Sequence, residues 1–166
     1  MNKNTITTIV IFFAIIAGLI WIAGPEGKKE NLANSSSVLV GTIAVEESNF
    51  DFGTISMAAG NVSHLFKVKN TGNFPVSINK IYTSCMCTTA KLMADGKEFG
   101  PFGMPGHGFI PKINASIPAR EDGIVEVIYD PAAHGPAGIG KIERLVTVEV
   151  ENGSSIEFMF SAFVQP

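Results

Sequence analysis

From residue 40 to residue 166 the sequence predicts an all-β domain, a two-sheet antiparallel sandwich. Three observations lead to it. Apolar and polar side chains alternate over short runs, the period of a strand with one buried face. Gly, Pro, Asn or Asp closes each run. No stretch of this part shows the spacing of an amphipathic helix.

One hydrophobic helix is expected ahead of the domain. Ile6 to Ala23 is eighteen residues without a charge, between Lys3 and Gly24-Pro25. Such a helix rises about 27 Å, close to the roughly 30 Å hydrocarbon core of a bilayer. Residues 1–24 are therefore expected to be a transmembrane anchor or a signal peptide, with residues 6–23 as the membrane contact. The anchor is favoured, because the run ends Trp21-Ile22-Ala23-Gly24-Pro25, with Pro25 where a cleaved chain would begin. Lysines on both sides (Lys3, Lys28, Lys29) leave the orientation unencoded by charge. Residues 25–39, rich in Gly, Lys, Glu, Asn and Ser, read as a flexible linker. The net charge is −3, and the chain beyond residue 30 holds nine basic and thirteen acidic groups. That balance gives no grip on a phosphate backbone, so nucleic-acid binding is not expected.

The strands follow in order. Ile43, Val45, Phe50 and Phe52 mark the first strand region. In the next, Val62, His64, Phe66 and Val68 face inward, with Ser63, Lys67 and Lys69 outward, and Asn70-Thr71-Gly72-Asn73 turns the chain. Val76 and Ile78 then share a face, while Ile81, Thr83, Cys85 and Cys87 follow the opposite parity. A bulge near Asn79-Lys80 reconciles them and puts the two cysteines on one face. Later strands run over Ile124 to Tyr129, Ile142 to Val150 and Ile156 to Val164, separated by Asp130-Pro131 and Asn152-Gly153. That makes six or seven strands. Asp95 to Pro111, with five Gly and three Pro, reads as one long loop that either binds something or folds back through Phe99, Phe102 and Phe109.

The strings Asn49-Phe50-Asp51-Phe52-Gly53-Thr54-Ile55, Val62-Ser63-His64-Leu65-Phe66-Lys67-Val68-Lys69-Asn70-Thr71-Gly72, Thr83-Ser84-Cys85-Met86-Cys87-Thr88 and Val127-Ile128-Tyr129-Asp130-Pro131 stand in a telling order. Together they resemble a bacterial immunoglobulin-like family, a domain of unknown function related to the sperm-protein-like (MSP/ASH, hydin-type) domains of cilia-associated proteins. The resemblance spans nearly all of the domain and implies an immunoglobulin-like sandwich of seven to nine strands, usually exported and usually tethered or lipidated, with no established catalytic activity. Met86, where that family often has Gly, and the loops around His107 and His134 depart from its common pattern.

Cys85 and Cys87 are the reactive feature. On an extended strand their Cα atoms would stand roughly 6.5 to 7 Å apart, at the edge of disulfide geometry, although a turn at Met86 would bring the sulfurs closer. Three readings stay open: buried inert thiols, a soft-metal clamp, and a disulfide. Met104, His107 and His134, in Gly/Pro-rich loops, are the candidates to complete a metal site with Cys85 and Cys87. Thiolate, thioether and imidazole suit copper(I), with zinc second. His64 reads as a hydrogen-bonded core or sheet-edge histidine. Glu46-Glu47 and Glu121-Asp122 read as solvated turns. Asp51-Phe52-Gly53 lacks the loops of a kinase, and Ser84 lacks a hydrolase setting.

The function expected first is a non-enzymatic, membrane-anchored module, extracytoplasmic (periplasmic or cell surface), that binds a protein or an envelope component. Copper(I) or zinc binding through Cys85 and Cys87 is the alternative, and thiol–disulfide exchange at the same pair a third.

Overall fold

The computed structural model describes residues 38–40, 42–106 and 110–166. The expected membrane segment at 6–23, linker residues 25–37 and His107 lie outside the described residues. Among those described, no helix is long and apolar enough to cross a membrane.

Among the described residues, eleven strands form the domain: β1 (Val38–Val40), β2 (Ile43–Val45), β3 (Asn49–Ser56), β4 (Val62–Asn70), β5 (Val76–Thr83), β6 (Thr88–Ala94), β7 (Lys97–Phe102), β8 (Ala115–Ile117), β9 (Asp122–Tyr129), β10 (Gly140–Val150) and β11 (Ser155–Gln165). They make two sheets, ordered β1-β2-β4-β9-β6-β7 and β3-β11-β10-β5-β8. Strict alternation builds the core between them. Phe66 and Val68 from β4 and Val125, Val127 and Tyr129 from β9 meet Val146 and Val148 from β10 and Ile156, Phe158, Phe160 and Val164 from β11, all buried. The Phe66 and Phe158 rings stack with centroids 4.6 Å apart, and Tyr129 meets Phe160 at 5.4 Å.

The parity break in β5 is a bulge, as expected. Lys80 lies opposite Glu149 and Ile78 opposite Val150, so Asn79 has no partner in the ladder. Ile78 and Ile81 are consequently both buried despite their odd spacing. The carbonyl of Asn79 instead accepts from the Ile113 amide at 2.9 Å.

Four expectations need correction. The first strand region is two strands, because the chain crosses from β2 in one sheet to β3 in the other between Val45 and Asn49. The sandwich is not wholly antiparallel: β3 runs parallel to β11, with Phe50 opposite Phe160. The interval Asp95 to Pro111 is not one loop, since β6 and β7 pair as a hairpin through Asp95 and Gly96, whose φ angles of 52° and 67° suit a two-residue turn. Phe99 and Phe102 pack against the core from this hairpin. Finally, the acidic pairs are not merely solvated: Glu47 meets His64 Nε2 at 2.9 Å, and Asp122 pairs with Lys67 at 3.1 Å and Lys69 at 3.5 Å. The Lys67 ammonium holds the Asp122 carboxyl below the usual carboxylate range. His64 stacks on Phe50 with centroids 3.6 Å apart, the hydrogen-bonded sheet histidine expected.

Asn70, at the end of β4, is fully buried. Its Nδ2 faces the carbonyls of Phe74, Ile117 and Pro118 at 2.8 to 3.0 Å, and its Oδ1 accepts from the Gly72 amide. Asn70→Ala strips partners from buried backbone groups, and the expected cost is about 2–3 kcal/mol, read as a lower urea midpoint at unchanged slope.

Candidate thiol and histidine site

The site is built on the connection from β5 to β6, where the chain passes between sheets. β5 ends at Thr83, so the cysteines lie on a turn and not on the extended strand that their parity suggested. The neighbouring residues explain why the turn closes. The Ser84 amide donates to Leu145 O, and Ser84 Oγ accepts from Leu145 N, each at 2.9 Å, pinning the turn to β10. Thr83 Oγ1 lies 2.9 Å from Cys85 O and 3.0 Å from Thr88 O, a hydroxyl shared by two carbonyls. The Thr88 amide closes the turn on Cys85 O at 3.2 Å. The cysteine Cα atoms are thereby drawn to 5.3 Å, inside disulfide range, and Cys85 and Cys87 are bonded to each other.

A second loop brings the histidine. The Asp130 amide donates to Cys87 O at 2.9 Å, so the end of β9 is held to the cysteine turn. Asp130 Oδ1 then caps the Ala132 amide at 2.8 Å, and Gly135, at φ +54°, takes the left-handed step that turns the chain after His134. His134 Nε2 arrives 3.1 Å from Cys85 Sγ. One ligand atom from each of Cys85, Cys87 and His134 lies within 4.8 Å of the others. Cys87 is buried at 3% exposure, Cys85 is half-buried and His134 is exposed. The site thus opens on the Cys85 and His134 side.

Arg144 was missed. On β10 it occupies the inward phase between Ile142 and Val146, an unusual place for a cation and a signal that the alternation carried. Its Nε donates to Cys87 Sγ at 3.2 Å, and its Nη1 to Glu143 O at 2.8 Å. Among the described residues it has no carboxylate in ion-pair range. Burial raises the Tyr129 phenol above its ordinary pKa, and the Arg144 charge opposes that shift. A cleft of about 310 Å³ beside the site is lined by His134, Ile139, Lys141, Ile142 and Arg144, among others.

Of the five residues expected to bind metal, Cys85, Cys87 and His134 come together. Met104 is half exposed and follows Gly103, whose carbonyl accepts from the Thr83 amide at 3.2 Å. Its chain segment therefore leaves the β6–β7 hairpin near the end of β5 from which the cysteine turn starts. Chemically, two sulfurs and an imidazole make a soft donor set once the sulfur–sulfur bond is reduced, and no carboxylate is among them.

Residues 43–100 match the model of a family described as "Protein of unknown function (DUF1573)". No curated protein matches the chain. A protein of unknown function from Porphyromonas gingivalis W83 has a similar fold, with a TM-score of 0.53 at 12% identity, covering 76% of this chain and 50% of that one. This chain thus spans about half the length of that structure. An ASH/PapD-like domain of human CEP192 aligns with a TM-score of 0.48 at 14% identity, covering 79% of this chain and 96% of that domain.

Proposed function

Taking an immunoglobulin-like domain that matches DUF1573 over residues 43–100 as the premise, we propose that this protein is a membrane-anchored, extracytoplasmic, non-enzymatic module that binds copper(I). Cys85, Cys87 and His134 are the ligands, in the state in which the cysteines are reduced. The observation that supports this reading is the meeting of soft donors from two loops, forty-nine residues apart in sequence, within 4.8 Å. Ligands of one metal at bond lengths of about 2.0 to 2.3 Å stand roughly 3.5 to 4 Å from each other, which that spacing accommodates. Among the described residues the donors are rich in sulfur and include no carboxylate, a chemistry that favours copper(I) over zinc. The apolar run at 6–23 supports the anchor. Cys85 and Cys87 are bonded to each other, and disulfides form mainly outside the reducing cytoplasm, which supports an extracytoplasmic site.

The test is a competition. The full-length chain, solubilised in detergent and reduced with a phosphine, is titrated with copper(I) held by a chromophoric chelator. The reading expects one copper(I) withdrawn per chain. A chelator spectrum that does not change at chain excess contradicts it.

A further inference from the structure

We infer that Cys85–Cys87 is a directional thiol–disulfide couple in which an external dithiol attacks Cys85 and Cys87 is the leaving sulfur, received by Arg144. The inference deepens the reading above, because only the reduced pair offers two thiolates to copper(I). Its test, however, reads sulfur chemistry alone.

The direction follows from access and from what each sulfur touches. Cys87 is 3% exposed, closed in by β10 and by Thr88, whose Oγ1 lies 3.7 Å from its sulfur. An incoming thiolate reaches it far less readily than Cys85. Cys85 is half-buried, on the open side of the turn with exposed Met86 and His134. Attack therefore falls first on the more exposed Cys85 Sγ. Exchange also depends on how well the departing sulfur carries its charge. Cys87 Sγ already accepts from Arg144 Nε at 3.2 Å, a cationic guanidinium donor. Cys85 Sγ faces His134 Nε2 and, at 3.4 Å, the Cys87 amide.

The step balances as follows. One thiolate of the dithiol forms a bond to Cys85 Sγ while the Cys85–Cys87 bond breaks, and its electron pair leaves on Cys87 Sγ beside Arg144. The second thiolate of the dithiol then attacks its own sulfur in the mixed disulfide, closing a disulfide in the reductant and freeing Cys85. The reductant gives up two electrons to the two cysteine sulfurs, and the two protons it loses go to those sulfurs or to solvent. Arg144 touches the leaving sulfur and takes no part in bond making. The reverse sequence oxidises a partner dithiol.

Three readouts on the full-length chain test this. The oxidised wild-type protein is treated with excess glutathione, quenched with acid and mapped by mass spectrometry, and the adduct is expected on Cys85. Cys87→Ser, which keeps Cys85, is expected to react with an aromatic disulfide roughly tenfold faster than Cys85→Ser in native buffer, with the difference gone in guanidinium chloride. Arg144→Leu is expected to slow reduction of the wild-type pair by dithiothreitol roughly three- to tenfold, with Arg144→Lys recovering part of the rate. An adduct on Cys87, equal native rates for the two single-thiol variants, or an unchanged reduction rate in Arg144→Leu overturns the inference. Directional reduction without copper binding removes the metal reading alone, and copper binding with equal thiol rates removes this one alone.

Discussion

In the reduced chain, Cys85→Ser or Cys87→Ser is expected to weaken copper(I) binding by on the order of 100-fold, and the double variant to abolish it. The magnitude is scaled from structural zinc sites, in which four thiolate and imidazole ligands hold the metal with about 10–16 kcal/mol, or about 3 kcal/mol per ligand. Ser offers a harder oxygen that does not replace a thiolate on a soft ion. His134→Ala is expected to fall in the same range, since its Nε2, 3.1 Å from Cys85 Sγ, is the third donor under this reading. Loss of fold does not confound the comparison. The Cys85–Cys87 ring spans one intervening residue, so the loop-entropy relation assigns the bond only about 1.5 kcal/mol, and the turn keeps its Ser84 and Thr83 hydrogen bonds. Chelator competition on each variant, with circular dichroism for fold, checks the series. Affinity unchanged in the double variant would remove the sulfur site.

Phe158→Ala is expected to destabilise the domain by about 3–5 kcal/mol. Phe158 sits on β11, which is paired on one side with β10 and on the other with β3, and its ring bridges the sheets by stacking on Phe66. It is fully buried, so truncation loses apolar burial and leaves a cavity that two hydrogen-bonded sheets close only in part. Against a typical total of about 5–15 kcal/mol this is a large share, and it corresponds to a fall in melting temperature of roughly 10–15 °C. Phe163→Ala on the same strand is the internal control. Phe163 is 48% exposed, and its loss is expected to cost about 0.5 kcal/mol or less. Urea denaturation of both variants makes the comparison, and equal costs would mean that the alternation of β11 does not set which face is the core.

Much of the sandwich was legible because burial on one face imposes a period of two. The long inward series of β4, β9, β10 and β11 reads directly from Phe66 and Val68, Val125 and Val127, Val146 and Val148, and Phe158 and Phe160. The Asn79 bulge was legible as a change of parity. β6 was not, because its buried positions are Thr88, Ala90, Leu92 and Ala94, too small and mixed to stand out from Thr89, Lys91 and Met93. The hairpin to β7 was signalled by Asp95-Gly96 yet obscured by the Gly and Pro that follow. The parallel pairing of β3 with β11 joins residues more than a hundred apart and leaves no local mark.

The site divides in the same way. Cys85 and Cys87 were legible as the reactive pair, but their turn depends on Ser84 reaching Leu145, and a long-range hydrogen bond leaves no trace in spacing. His134 was one of two loop histidines of equal standing, and the long-range Asp130 to Cys87 contact that carries it to the thiols leaves no mark in the sequence. Arg144 carried a sequence signal, a cation at an inward position between Ile142 and Val146, which a search for ligand residue types passes over.

The most direct measurement is X-ray absorption at the copper edge of the reduced, full-length chain loaded with one equivalent of copper(I). Two sulfurs and one imidazole nitrogen around the metal, with both sulfurs lost in Cys85→Ser/Cys87→Ser, is the spectrum expected. A coordination shell of nitrogen or oxygen alone, or a sulfur signal that survives the double substitution, contradicts the account.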